Sequence, residues 1–408
     1  MDIIRKVCGG LDVHKKSVLA CIRRLGSEGK IDKEVRTFGT TTKELLVLAD
    51  WCVSAGVEEI AMESTGVYWK PVWNILSAAG LKLMLVNPEH LKHFPQRKTD
   101  VKDCEWIAEL LQFGLLRGSF VPSEDLRQLR DLTRQRAKLT QQKAAVANRI
   151  QKVLEDTNIK IASLLSDLLG VSGRRILKSL IEGQSDNSQL VLLVHPTVRA
   201  KKEDLTLALQ GRVTEHHRFM LRELLDELEF LERKIENFEA RIDQVSVPFE
   251  PAIQLIDEIP GIGRCIAIAI IAEIGANMKQ YPTQRHLSSW AGICPGNNES
   301  AGKRKSGRTP MGNCWLRRAL AEAAWAASHT KGSYFSVLFR RICRRRGKKR
   351  AIVATGHAIL VAIYHMLKNN CAYKDLGVDH FDKIKGDQMQ LYYLRRLAQL
   401  GVKVQIVA

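Results

Sequence analysis

From Leu221 to Val245 the apolar residues fall at alternating spacings of three and four: Leu221, Leu224, Leu228, Leu231, Ile235, Phe238, Ile242 and Val245. A strand repeats every two residues, so this pattern belongs to a helix with a coiled-coil seam. At ~1.5 Å per residue the seam is roughly 35 Å long. A second heptad lies upstream in Leu132, Leu139, Val146 and Val153, inside a segment rich in Gln, Arg and Lys. The two helices can pair as a hairpin or serve as a dimerisation arm. The sequence does not choose between them.

Ahead of these helices the patterning is different. Val7 to Val13, Ser17 to Arg23 and Glu34 to Phe38 are short apolar stretches broken by turn signals, which predicts three sequential antiparallel strands. Glu59-Ile60-Ala61-Met62 and Leu81 to Val86 predict two more, separated by helical patterns at Thr42 to Val53 and Tyr68 to Ala79. That order predicts an α/β unit with a mixed sheet, closed by a helix from about Asp100 to Phe113. Residues 159–211 predict shorter helices. Pro248 and Pro251 end the long seam, and a third, mainly helical unit follows to Tyr373. The tail from Lys374 to Ala408 holds one predicted helix, Gln388 to Leu400. The expected division is therefore 1–124, 125–247, 248–373 and 374–408.

Charge narrows the partner. The 408-residue chain carries a formal net charge of +19. Residues 301–350 hold fifteen Lys or Arg against one acid, Glu322. A charge run can be no more than a solvated face, but this concentration favours a polyanionic partner, because basic side chains displace counterions from phosphates. A membrane-surface role would want an amphipathic helix or lipidation signal beside the patch, and neither is found. Nine cysteines, odd in number and without a CxxC pair, speak against a disulfide framework and a zinc site. The start of the chain lacks a secretory apolar region, and a cytoplasmic location is expected.

Four carboxylates stand where chemistry is expected. Asp12 ends the first predicted strand, and Glu63 ends another. Asp100 and Asp103 lie three apart on one predicted helix and so share a face. Together they suit a hard divalent cation such as Mg²⁺, with Mn²⁺ as a substitute, and two such ions assist phosphoryl transfer. The plain alternative is a solvated helix face and a turn or helix-cap role for Glu63. Glu105 and Glu109 extend the same face and compete with the two aspartates.

Pro260-Gly261-Ile262-Gly263 between two apolar helical runs is similar to a helix-hairpin-helix element, in which Gly261 and Gly263 let backbone N–H groups approach a phosphate. A plain helical turn is the other reading. Downstream, Cys294-Pro295-Gly296-Asn297-Asn298-Glu299-Ser300 leads into Lys303, Arg304, Lys305 and Arg308, a polar, glycine-rich and basic loop. A serine hydroxyl needs activation, or stabilisation of the charge that develops, and flanking cations with a metal supply both. By composition alone Ser288, Ser289 and Ser306 are equal candidates. Arg317, Arg318 and the basic run from Arg344 to Arg350 suit contact with DNA or RNA.

In this order, the segments Gly-Leu-Asp12-Val-His-Lys, Met-Glu63-Ser-Thr-Gly-Val-Tyr-Trp, Lys-Thr-Asp100-Val-Lys-Asp103, the Pro-Gly-Ile-Gly turn, Cys-Pro-Gly-Asn-Asn-Glu-Ser300-Ala-Gly-Lys and Gly312-Asn313-x-x-Leu316-Arg317-Arg318 resemble the insertion-sequence one-ten family of transposases, DEDD-type recombinases associated with a bridge RNA. The resemblance runs from about residue 8 to 370. It implies an RNase H-like, RuvC-type first unit whose Asp12, Glu63, Asp100 and Asp103 bind Mg²⁺, and a transposase unit whose Ser300 forms a covalent phosphoserine link to DNA. It also implies coiled-coil dimers, tetramers on two DNAs that pair the acids of one protomer with the serine of another, and a structured noncoding RNA that selects donor and target. The runner-up is a RuvC-like nuclease or junction resolvase in which water attacks. A nucleic-acid-binding protein with structural acids is the non-enzymatic reading.

Overall fold

The computed structural model describes residues 3–26, 29–64, 66–88, 91, 103–295, 298–300 and 303–401; for 298–300, 303–306, 384–385 and 387–389 it describes the backbone alone. The chain divides into two compact units, Met1–Pro122 and Ser123–Ala408.

In the first unit, strands β1 (Val7–Val13), β2 (Ser17–Leu25) and β3 (Ile31–Gly39) precede helix α1 (Thr42–Ser54). Then come β4 (Glu59–Glu63), α2 (Trp69–Ala78), β5 (Leu83–Val86) and α3 (Asp103–Gln112). The sheet order is β3-β2-β1-β4-β5. The β1–β2 and β2–β3 pairs are antiparallel, and β1–β4 and β4–β5 are parallel. This is the expected mixed α/β sheet. Strand β3 begins at Ile31, ahead of the predicted Glu34, because Leu25 pairs with Ile31 and Arg24 with Asp32 along a long ribbon. Such pairing holds polar residues in a strand that their own propensity would not select.

The two sheet faces bury different neighbours. Leu11, Val13, Ile60 and Met62 pack with Leu45 and Leu48 of α1 and with Val72 and Leu76 of α2. Cys8 and Ala61 face the other way and pack with Ile107 and Leu111 of α3. Helix α3 lies very close to β1: a Cβ on Gly10 would meet Cys104 O at 2.3 Å and Ala108 N at 2.4 Å.

The second unit is helical. Two long helices, α4 (Glu124–Asp156) and α8 (Glu215–Ser246), bracket α5 (Val171–Glu182), α6 (Asn187–Leu192) and α7 (Lys202–Ala208). Ion pairs Arg136–Glu239, Lys143–Glu232 and Arg149–Glu227 show that α4 and α8 run antiparallel within one chain. The choice left open between hairpin and separate arm thus falls to an intrachain pair. Leu221, Leu224, Leu228 and Leu231 bury their seam against Leu139, Val146 and Ile150, with Leu177 and Leu180 of α5 in the same core.

The other end of the pair enters a second core, formed with α9 (Glu250–Asp257), α10 (Arg264–Ile274), α11 (Gln284–Trp290), α12 (Cys314–His329), α13 (Tyr334–Arg346) and α14 (Lys348–Asn369). Leu129 and Ile242 belong to this core. Helix α14 is long and apolar enough to cross a membrane, but Ile359, Leu360 and Ile363 are fully buried here in the core it shares with α12 and α13. The basic residues from Arg344 to Arg350 are helical on either side of Gly347 and are all exposed. The tail helix, α15 (His380–Gln399), starts eight residues earlier than its own apolar pattern predicts. Its first turn is held by tertiary contact: Phe381 stacks on Tyr334 at 5.4 Å and Arg341 lies 5.0 Å over the Phe381 ring.

Because the atoms that would collide with an alanine at position 10 are backbone, Gly10→Ala is expected to lower stability by about 1–3 kcal/mol. Gly263→Ala, with nothing within 4 Å of its added Cβ, should cost less, about 0.5–1 kcal/mol, because alanine is a poorer N-cap than glycine. Thermal unfolding followed by circular dichroism checks both, and equal melting points for the two variants would refute the close-approach argument.

Candidate active site and nucleic-acid interface

The register of β1 and β4 sets two of the carboxylates side by side. Leu11 pairs with Met62 in the parallel ladder, and Asp12 and Glu63 are the next residue on each strand. Successive side chains alternate across a sheet, so Asp12 shares a face with Cys8 and Gly10, and Glu63 shares it with Ala61. That face is the one α3 covers. The helix runs opposite to β1: the N–H of Ile4 donates to Gln112 O at 3.0 Å, Cys8 Sγ lies 3.4 Å from Ala108 O, and Gly10 faces Cys104. Asp103, the first residue of α3, is therefore carried to the Asp12 end of the sheet. The N-terminal position also suits a carboxylate electrostatically.

Asp12 and Glu63 are half-buried and Asp103 is exposed. His14 Nε2 lies 2.9 Å from Asp12 Oδ2. Asp100 lies outside the described residues. Among the described residues, no three His, Cys, Asp or Glu side chains form a closed metal-binding group. The donor set itself, carboxylate oxygens at one end of one sheet face, fits a hard divalent cation.

Both competing acids on α3 are engaged elsewhere. Lys33 Nζ on β3 holds Glu105 at 2.7 Å, and Arg23 on β2 lies 3.8 Å from Glu109. These pairs fasten α3 across the sheet. Glu59, inside β4, is likewise taken by Arg5. The cysteines are free, and burial pushes the Cys8 thiol up to about 11 and the Cys21 thiol up to about 12, which makes both inert near neutral pH.

In the second unit the serine segment is not a simple loop. Backbone strands β6 (Asn298–Ser300) and β7 (Lys303–Ser306) form an antiparallel ribbon in which Ser300 pairs with Lys303 and Glu299 with Arg304. The sequence reading missed it because Gly, Asn and Lys are poor strand formers, and a ladder of main-chain bonds overrides that preference. Ser300 thus ends one strand, with Lys303 and Lys305 on its partner and Arg308 exposed just beyond. Ser288, one of the rival serines, is 1% exposed on α11.

Gly261 and Gly263 prove to differ. Gly261 has a φ of +90°, and a Cβ there would meet Ala327 N at 2.4 Å and Ala323 O at 2.5 Å, so packing of the turn on α12 requires glycine. Gly263 is exposed at the N-terminus of α10 with open space before it. Arg317 reaches Thr309 Oγ1 at 3.4 Å, and Arg318 lies over the Trp315 ring.

A polar node that no local pattern announced holds α12. Glu273 near the end of α10 is 2% exposed and receives Arg134 Nε at 2.7 Å and Asn313 Nδ2 at 2.6 Å. Arg130 donates to the carbonyls of Ala272 and Glu273. Asn313 also caps α12, accepting from the N–H groups of Trp315 and Leu316. Position 313 closes the segment that carries Ser300, so the node anchors its downstream end. Removing the carboxylate leaves buried guanidinium unpaired, and Glu273→Ala should cost about 3 kcal/mol. Urea unfolding measures this, and an unchanged midpoint would show that the node contributes no net stability.

Comparison with known proteins places the two segments in one family. A DEDD-type IS110 family model described as a transposase matches residues 9–159, and a model described as "Transposase IS116/IS110/IS902 family" matches residues 253–339. A Pseudomonas aeruginosa protein named a probable family 20 transposase is 27% identical over 271 residues, covering 65% of this chain and 70% of its own length. A Coxiella burnetii transposase for insertion sequence element IS1111A is 24% identical over 325 residues, covering 77% of this chain and 79% of its own. The first match contains the RuvC-like sheet with Asp12, Glu63 and Asp103, and the second contains the Gly261 turn, the ribbon of Ser300 and the capped helix α12. The chain belongs to the IS110/IS116 family of transposases, enzymes that cut and rejoin DNA.

Proposed function

We propose that this transposase cuts and rejoins DNA at insertion-sequence ends and target through a covalent link to Ser300, assisted by Mg²⁺ at Asp12, Glu63, Asp100 and Asp103. The observation that supports the reading is the strand register that sets Asp12 beside Glu63 on the face covered by α3, with Glu105 and Glu109 of that helix engaged in ion pairs. Bound there, a divalent cation stabilises charge on the phosphate oxygens, and Mn²⁺ can replace it. Ser300 Oγ forms a bond to the scissile phosphorus as the bond to the departing sugar oxygen breaks, and that oxygen takes up a proton. A hydroxyl from the second DNA strand then attacks the phosphoserine, restoring Ser300 and joining the new strands. Lys303, Arg304, Lys305 and Arg308 beside Ser300 offset the phosphate charge, as do Arg317 and Arg318.

Gly263 and the exposed N-terminus of α10 suit sequence-independent contact with the DNA backbone. In the same reading, the turn between α9 and α10 is a helix-hairpin-helix element, the α4–α8 seam is coiled-coil-like, and protomers assemble as dimers and tetramers on donor and target DNA. Selection of those DNAs falls to a structured noncoding bridge RNA, as the family resemblance implies, and the protein's concentrated positive charge suits such a partner.

The test is covalent trapping with labelled element-end DNA, Mg²⁺ and the cognate RNA, followed by denaturing electrophoresis. The parent protein should give a protein–DNA adduct, Ser300→Ala none, and Asp12→Asn about 100-fold less. Replacing Mg²⁺ by chelator should abolish the adduct. Strand cleavage that persists unchanged in Ser300→Ala without any adduct would instead assign the attack to water.

A further inference from the structure

The second unit contains a half-open cavity of about 520 Å³ that the chemistry above touches only through Arg318. Its walls come from α4, α8, α10 and α12. Ala137, Ile242, Ile266, Ala269 and Ala319 make them apolar, and Trp315 adds an aromatic ring. Three cations surround that ring: Arg318 Cζ at 5.4 Å, Arg134 Cζ at 5.8 Å and Lys138 Nζ at 6.0 Å from its centroid.

The cations are not equivalent. Arg134 is committed to Glu273 at 2.7 Å. Arg318 and Lys138 have no carboxylate partner among the described residues. The Gln141 side-chain oxygen, with its amide turned so that both groups are satisfied, accepts from Arg318 Nη1 at 2.8 Å. The cavity therefore combines apolar walls, an aromatic face and two cations still able to meet an anion. It also holds four carboxylates: Glu239, Asp243 and Glu273, paired with Arg136, Arg264 and Arg134, and Glu322, which has no ion-pair partner among the described residues. Acids at this position disfavour a bare polyanion. They tolerate a planar group that offers N–H donors at its edge and carries its charge to one side.

We propose that this cavity takes a single unpaired nucleotide, its base against Trp315 and its phosphate toward Arg318 and Lys138. The volume is ample for a base with its sugar, since small-molecule sites span roughly 300–1,000 Å³. Stacking on an aromatic side chain is open to every base, so this site reads strandedness and not sequence. A base held in a duplex cannot enter. The inference rests on the chain handling nucleic acid, but not on Ser300 or the carboxylates, so it stands or falls separately from the covalent mechanism. The source of the nucleotide, an RNA loop or an extruded DNA base, shares one chemistry.

The full chain is irradiated with single-stranded oligonucleotides carrying 5-iodouracil, one set ribose and one set deoxyribose, and the crosslinked peptides are mapped by mass spectrometry. The expected crosslink lies on the peptide containing Trp315 and is competed by unlabelled single strand but not by duplex. Stronger crosslinking of the ribose probe assigns the site to RNA; equal or stronger crosslinking of the deoxyribose probe assigns it to DNA. In anisotropy titrations Trp315→Ala should weaken single-strand binding about tenfold, Trp315→Phe about twofold, and duplex binding should be unchanged in both. Melting curves confirm that each variant is folded, and the crosslink on the unaltered protein needs no variant. Crosslinks confined to other peptides overturn the proposal, as does an equal loss of single-strand and duplex binding in Trp315→Ala.

Discussion

Glu273 is a lone carboxylate, 2% exposed, and the geometry of the second unit turns on it. A buried charge is tolerated only when paired and hydrogen-bonded. Here the partners come from α4 and from the residue before α12. The same interaction therefore ties the root of the long hairpin to the helix that begins where the Ser300 segment ends. Asn313 serves twice, capping α12 with its oxygen and meeting Glu273 with its nitrogen. Trp315 follows within the first turn, and its ring is where Arg134 from α4 and Arg318 from α12 come together.

The first unit relies on a different constraint, the missing side chain of Gly10. Helix α3 approaches β1 so closely that its backbone occupies the place of a Cβ. Ion pairs from Lys33 and Arg23 then fix its direction across the sheet. Two carboxylates are set by strand register and a third by the start of this helix. The acidic end of this sheet thus follows from ordinary packing rules, with each carboxylate standing where its element begins or terminates.

Much of this was readable in advance, and the reasons are local. The five strands and the helices between them announce themselves through alternation and turn residues. Along the α8 seam Leu221, Leu224, Leu228, Leu231 and Ile242 are at most 6% exposed, while Ile235, Phe238 and Val245 are half-buried. Asp12 and Glu63 stood out as acids at the ends of apolar runs. The β6–β7 ribbon was not legible, because its residues are polar and glycine-rich and the strands are held by each other's backbone. The early start of α15 was equally hidden, since it depends on Phe381 meeting Tyr334 and Arg341.

By itself, the sequence determined the α/β-then-helical order, the partner class through charge, and the family through an ordered set of motifs. These are properties of neighbours along the chain, where period and composition act directly. Tertiary structure alone decided that α4 and α8 pair within one chain, that Glu105 and Glu109 are spent in ion pairs while Asp103 has none among the described residues, and that Gly261 serves packing while Gly263 stays open. It alone gathered Arg134, Lys138, Trp315 and Arg318 around one cavity. Those outcomes depend on contacts between residues tens to hundreds of positions apart, and no periodicity along the chain encodes which distant side chain will arrive.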